Sequence, residues 1–590
     1  MSEHEPALPY LDANLPVEDR VEDLLGRMTV AEKAGMLFQT MIAPGPIDEA
    51  NPHMGLASGE YMIGEQLMSH FNVLGTAPDT TALAEWTNAL QERASRTRLG
   101  IPVTLSTDPR NHFTDNVGTA ARAGAFSQWP ETLGLAAIGS ADLVEAFADT
   151  ARQEYLAVGI RLALHPQVDL ATEPRWSRIG GTFGEDAELS AELVAGYIRG
   201  FQGAELGPQS VSTMTKHFPG GGPQLDGEDP HFAYGREQVY PGDNFDYHLI
   251  PFRAAIAAGA AQMMPYYGMP VGTEHEEVAF AFNHGIITGL LREELGFAGV
   301  VCTDWGLVTD TSIMGQDMPA RAWGLEHLDE LSRVERILQA GCDQFGGEAR
   351  PELVVELVEQ GRITEDRIDA SVRRLLREKF VLGLFEQPYV DAGAASGIVG
   401  RADFVAAGEA AQRRAFTVLT NVEETLPVRS PRPRLYVEGV DPEVAAAYGE
   451  VVADPASADV ALVRMQTPYE PRPGGFEAMF HAGSLDIPAD EVERLRALAL
   501  AVPTVLDMHL DRPAILTGVA DAVAALVASF GGSDAAFLDV VFGRALPEGR
   551  LPFDLPRSMA AVEASRSDVP YDTEDPLFRF GHGLSYPAGP

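Results

Sequence analysis

GVVCTDWG, residues 299–306, carries Val300, Val301 and Cys302 into Thr303 and then sets Asp304 beside Trp305. A strand buried on both faces reads as a continuous apolar run, and its first polar residues mark the rim of a sheet. Asp304 is therefore a site candidate, the competing reading being a helix cap or turn residue. The surrounding chain decides between them.

The same pattern recurs along the chain. From about residue 100 to 380, short apolar runs alternate with helical patterns, the signature of βα units. Strands are predicted at IPVTLST (101–107), IRLALHPQVDL (160–170), SVSTMTKHF (210–218), AAQMMPYY (260–267), GVVCTDWG and near Cys342. Helices such as DLVEAFADTARQEYLAVG (142–159) and AELSAELVAGYIRGFQG (187–203) lie between them. Strand ends carry Asp108, Asp169, Lys216 with His217, Tyr266 and Asp304. In a (β/α)8 barrel such ends converge on one face, where a site is built.

Two helical patterns in 352–385 close this region, and EQPYVDAGAASGIVGRADF (386–404) reads as a linker. A second α/β unit follows, with strands near 433–440, 460–465, 503–510 and 522–530. The expected division is a barrel domain over 1–385, a linker over 386–410 and a second domain over 411–590. QTPYEPRPGGFEAMFHAGSLDIP (466–488) is a long, turn-rich segment, and loops of that length inside a domain are often functional.

The 590 residues exceed what one core supports, so at least two domains are expected. Hydrophobic residues at 45% and charged residues at 22% suit a folded chain. A formal charge of −43 opposes nucleic acid, anionic membrane and acidic substrates. The two cysteines, Cys302 and Cys342, read as buried small residues that support neither a disulfide framework nor a zinc site. The first thirty residues lack a basic start followed by an apolar block, and no apolar stretch reaches about 18 residues. A cytoplasmic enzyme without a membrane span is expected, and a homo-oligomer is left open.

TDPRN (107–111), DLATEPRWSRIGGTFGED (169–186), KHFPGGG (216–222), LLREELGFAGVVCTDWG (290–306), GRALPEGRLPFDLP (543–556) and FRFGHGLSY (578–586) stand in the order found in glycoside hydrolase family 3. The chain closely resembles that family of exo-acting β-glucosidases, in its two-domain form. The resemblance implies an N-terminal (β/α)8 TIM-like barrel followed by an α/β sandwich domain, and a retaining mechanism with no metal or organic cofactor. By the same resemblance Asp304 is the nucleophile and Trp305 an apolar platform for a sugar face. Asp108, Arg178, Lys216 and His217 match sugar-binding positions, where charged groups hydrogen-bond hydroxyls strongly. Met263 and Tyr266 are assigned to the same pocket. Arg175 is expected to support its loop, and Glu185 and Asp186 to cap the helix that follows.

The resemblance implies that the acid/base carboxylate comes from the second-domain loop. Glu470, directly after Tyr469, is preferred and Glu477 is the alternative. Asp229 and His231 lie displaced from the compact His–Asp spacing of the N-acetylglucosaminidase branch and are read as a substrate-loop feature. The expected activity is hydrolysis of terminal β-D-glucosyl residues. The rivals are a β-N-acetylhexosaminidase or β-xylosidase of the same fold, and an inactive carbohydrate-binding protein.

Overall fold

The computed structural model describes residues 8–52, 55–75, 79–116 and 118–586. Eight strands form its first sheet: β1 (Phe38–Ile42), β2 (His70–Val73), β3 (Thr104–Thr107), β4 (Ile160–Ala163), β5 (Ser212–Phe218), β6 (Gln262–Pro265), β7 (Val300–Trp305) and β8 (Gln344–Gly346). They close into a barrel in the order β1-β8-β7-β6-β5-β4-β3-β2, every pair parallel. Six strands fall on the apolar runs seen in the sequence. The other two precede residue 100, and β2, HFNV, is buried at all four positions although half of it is polar.

Helices wrap the barrel because each buries one stripe. In Ala187–Gln202, Leu193, Val194, Tyr197, Ile198 and Phe201 are buried at helical spacing. Asp186 caps its start by accepting from Leu189 N at 2.6 Å. Its neighbour Ala141–Ala157 crosses so closely that a Cβ on Gly200 would stand 2.4 Å from the Ala148 Cβ. A larger residue at Gly200 would force these helices apart.

The barrel interior holds a small apolar layer of Leu162, Leu164, Met214, Met264 and Cys302. Side chains alternate between the faces of a strand, so the residues two positions further on share the inward face. Those are Lys216 on β5 and Asp304 on β7, standing where the strands reach the carboxyl rim.

The second unit is a six-stranded sheet: β9 (Thr417–Asn421), β10 (Arg434–Glu438), β11 (Glu450–Val451), β12 (Val460–Gln466), β13 (Thr504–His509) and β14 (Ala525–Ser529). Its order is β9-β14-β13-β12-β10-β11, with only β9 antiparallel to its neighbour. Val505 and Val527 pack on one face, and Leu506 and Leu526 on the other. Burial of both faces explains why these strands read as unbroken apolar runs.

Helices Ala392–Ile398 and Ala402–Ala415 occupy much of the stretch read as a linker. Its alanines favour helix and Asp391 caps the first of the two by accepting from Ala394 N at 3.2 Å. The two units meet along a hydrogen-bonded seam. Glu131 N donates to Phe530 O at 2.8 Å, and Thr172 Oγ1 to Ser567 O at 2.6 Å. Glu185 joins this seam rather than capping a helix: its carboxylate accepts from Asp554 N at 2.5 Å and Tyr571 N at 2.8 Å.

Candidate active site

Asp304 ends β7 with 7% exposure. Its Oδ1 accepts from Trp305 N at 2.8 Å, while Oδ2 is buried with no protein partner. The Trp305 indole lies over Gly346 and Gly347, where any Cβ would approach its ring to 2.6 Å. These glycines let a flat apolar surface form beside the carboxylate. The Trp305 Nε1 is also buried and unpartnered.

Lys216, on the inward face of β5, donates from Nζ to Asp108 Oδ1 at 3.1 Å. Asn72, from β2, donates to Asp108 Oδ2 at 3.1 Å, so both carboxylate oxygens are fixed. His217 lies 3.8 Å from Asp304, Nε2 to Oδ2. Its Nδ1 meets Asp169 Oδ2 at 2.7 Å, and the other Asp169 oxygen accepts from His217 N and Gly221 N. Burial, then Arg178, holds His217 well below its ordinary value, so the ring is neutral. With Nδ1–H donating to Asp169, Nε2 is left as an acceptor facing the Asp304 side.

Arg178 is buried, with Nε and Nη1 unpartnered. Burial works against its charge, but Tyr266, Asp229, Asp304 and Asp169 outweigh it and raise the guanidinium above its ordinary value. Buried polar groups are normally satisfied, so orphan donors on Arg178 beside an orphan oxygen on Asp304 point to a ligand rich in hydroxyls. Arg175 supports its loop as expected from sequence, pairing with Glu173 at 2.8 Å.

Tyr266 is fully buried, its ring 4.6 Å from that of His217. Met263 is not in the pocket. It belongs to the large core shared with the helical layer, whereas Met264, in register with Lys216, joins the inner layer against which Trp305 packs. The correction follows from strand alternation, since two adjacent methionines cannot face the same way.

Three pocket residues escaped the sequence reading. Asn72 sits on a strand too short and polar to be noticed. Asp169 stood out as a strand end but gained a role only through His217. Tyr267, next to Tyr266, accepts from Trp305 N at 2.9 Å and donates to Trp305 O at 2.8 Å. Tyr267 lies beyond the end of β6 in the phase of the outward Met263, so strand alternation gave no signal for it.

Asp229 and His231 pair, Nδ1 to Oδ1, at 2.6 Å, and the His231 ring lies 4.6 Å from that of Tyr267. Burial pushes Asp229 up, but His231 and Arg178 bring it down to about 2. Burial holds His231 below its ordinary value. The pair therefore stands one side chain away from the Asp304–Trp305 end of β7.

The second-domain loop folds as a hairpin, with Glu470 N bonded to Ala482 O at 2.9 Å. The Glu470 carboxylate is exposed and accepts from Ser484 N at 3.1 Å. Glu477 is buried, one oxygen accepting from Tyr234 Oη at 2.5 Å and the other from Gly474 N at 3.4 Å. Neither hydrogen-bonds Asp304. A cavity of about 820 Å³ continues from Lys216 and Arg178 between the barrel rim and the carboxyl edge of the second sheet, where His481 and His509 line it. Among the described residues no cluster of acidic, histidine or cysteine side chains could hold a metal ion, and no helix is long and apolar enough to cross a membrane.

Residues 58–378 match the glycosyl hydrolase family 3 N terminal domain, and residues 335–586 match the C-terminal domain of that family. The chain is 57% identical over 581 residues to the probable beta-glucosidase C of Aspergillus oryzae, covering 98% of this chain and 91% of the relative. It is 42% identical to a periplasmic beta-glucosidase/beta-xylosidase of Dickeya chrysanthemi, covering 98% of this chain and 91% of that protein. A solved β-glucosidase from Erythrobacter marinus shares the fold, with a TM-score of 0.79 at 22% identity over 98% of this chain and 84% of that one. With both domain signatures in place over a closed barrel and a following sheet domain, this chain belongs to glycosyl hydrolase family 3 and is a glycoside hydrolase.

Proposed function

We propose that this enzyme is an exo-acting retaining β-glucosidase that removes terminal β-D-glucosyl residues. The observation that carries the reading is the unpartnered Asp304 Oδ2 at the barrel mouth, 3.8 Å from a neutral His217 and beside a charged Arg178. The name of the Aspergillus relative supports glucose as the sugar, and that of the Dickeya relative supports glucose and xylose alike.

In this scheme the Asp304 carboxylate attacks the anomeric carbon, and the bond from that carbon to the leaving oxygen breaks. The leaving oxygen takes its proton from an acid on the 466–488 loop. The same group, now a base, then takes a proton from the water that opens the glycosyl ester and restores Asp304. Asp108, Lys216, His217 and Arg178 hold the sugar hydroxyls, with Trp305 against its apolar face. Glu470 is the preferred acid because one of its oxygens remains free, whereas Tyr234 and Gly474 engage both oxygens of Glu477. Ser484 holds the other oxygen, and the free one meets the leaving oxygen in the complex, where catalytic hydrogen bonds commonly tighten.

The test is a 2-deoxy-2-fluoro-β-glucoside with an activated leaving group. The fluorine slows both steps, and the good leaving group keeps the first ahead of the second, so a covalent adduct accumulates. Mass spectrometry should place one sugar on the peptide containing Asp304. A product released first as the α-anomer, with no adduct, defeats the retaining reading. A parallel panel of nitrophenyl β-glucoside, β-xyloside and N-acetyl-β-glucosaminide ranks the sugars.

A further inference from the structure

Arg512 lies three residues beyond β13 and is fully buried, yet it pairs with no carboxylate among the described residues. Its two terminal nitrogens donate instead to five main-chain carbonyls. Nη2 reaches Pro468 at 2.8 Å, Ala482 at 3.0 Å and Ser484 at 3.3 Å. Nη1 reaches Gly483 at 3.1 Å and, across the domain seam, Arg175 at 2.9 Å. Burial pulls the guanidinium down to about 10, which leaves it charged at neutral pH.

The first four carbonyls belong to both arms of the hairpin at the level of Glu470, which itself bonds to Ala482 and Ser484. The fifth belongs to the barrel loop that carries Arg178 into the electrostatic field of Asp304. One rigid, planar cation thus ties the neck of the proton-donor loop to the loop beside the nucleophile. Only a guanidinium offers donors in that fixed fork, and a lysine ammonium reaches fewer acceptors in a different geometry.

We propose that Arg512 is a positioning residue for proton transfer, setting the second-domain loop at its working distance from Asp304. This rests on the reading that the 466–488 loop supplies the acid. A displacement of about 1 Å at such a joint is enough to cost a catalytic group much of its effect.

The experiment compares Arg512→Met and Arg512→Lys with wild type on an alkyl β-glucoside, which needs protonation of its leaving oxygen, and on 2,4-dinitrophenyl β-glucoside, which does not. Glu470→Ala and Glu477→Ala serve as controls. For folded Arg512→Met, kcat/KM on the alkyl substrate should fall about 100-fold further than on the activated one. Arg512→Lys should give an intermediate shift, and it is the deciding variant if the methionine protein does not fold. Hydrogen exchange should rise together in segments 468–484 and 173–178. A purely structural role lowers both activities by one common factor, and an unchanged ratio overturns the proposal. If a glutamate control shifts the ratio and neither Arg512 variant does, Arg512 alone is misassigned. If neither glutamate shifts it, the loop reading falls and the Arg512 proposal falls with it.

Discussion

His217 Nε2 stands 3.8 Å from Asp304 Oδ2, and Asp169 holds the opposite nitrogen of the same ring at 2.7 Å. Three elements of the barrel rim thus converge on one carboxylate oxygen that no protein group satisfies.

Asp304→Ala should abolish turnover by at least about 1,000-fold, because no other group is placed to form the glycosyl bond. The fold should survive, since the carboxylate's hydrogen bond to Trp305 N is local and Arg178 keeps Asp229 and Asp169 as compensating charges. Circular dichroism and steady-state kinetics together check this. A folded variant that keeps more than a few per cent of activity removes Asp304 from its role.

Asp169→Asn replaces an oxygen that accepts an N–H with an amide that donates one, so either His217 or Gly221 loses its partner. With the amide NH2 facing Nδ1, the ring takes its other tautomer, Nδ1 accepting and Nε2–H directed toward Asp304. Losing one buried charge-assisted bond of this kind costs roughly 10- to 100-fold in kcat/KM. Kinetics on nitrophenyl β-glucoside, beside an unchanged near-ultraviolet spectrum, reads the effect. Equal kinetics for variant and wild type refutes the positioning role.

Removing the acid should discriminate among three groups. Glu470→Ala should slow substrates with poor leaving groups far more than activated ones, and azide should restore turnover as a replacement nucleophile. Glu477→Ala and His231→Ala should leave that ratio near wild type. The ratio shifting in Glu477→Ala alone moves the role within the loop. A shift in His231→Ala alone moves it to the Asp229–His231 pair, now seen beside Tyr267.

Glu185 makes a prediction about stability. Burial, aided by Asp554 and Asp186, raises its carboxyl from an ordinary 4.5 to about 8. The folded chain therefore keeps a proton that the unfolded chain has lost between these two values. Stability from this group should fall as pH rises through that window and level off above about 8. Glu185→Gln should flatten the fall, measured as Tm against pH for the two proteins. Parallel curves would falsify the assignment.

How much of this was legible in the chain depends on the range of the interaction involved. A run such as VVCTDW announces a buried strand, because burial of both faces favours an unbroken apolar stretch, whereas STMTKHF is buried throughout with only Met214 and Phe218 apolar. The polar residue at the end of each run marks the rim. Asp304, Lys216, His217 and Asp108 followed from that local logic together with the family resemblance. Strands β1 and β2 did not, since HFNV places Asn72 and His70 in the interior through contacts that no short window encodes.

Hydrophobic period, a local property, thus disclosed six of the eight barrel strands, four of the six strands of the second sheet and the acid near the end of β7, while the closed barrel and the sheet domain as wholes followed from the family resemblance. Tertiary structure alone decided which way each strand is phased and what meets across the rim. It turned Met264 inward and Met263 outward, brought Asn72 to Asp108 and Asp169 to His217, and laid the Asp229–His231 pair against Tyr267. It also drew Arg512 to Arg175 across 337 residues of chain. Such contacts arise only when a barrel closes and two domains dock, and no spacing in the chain records which buried groups will then face each other.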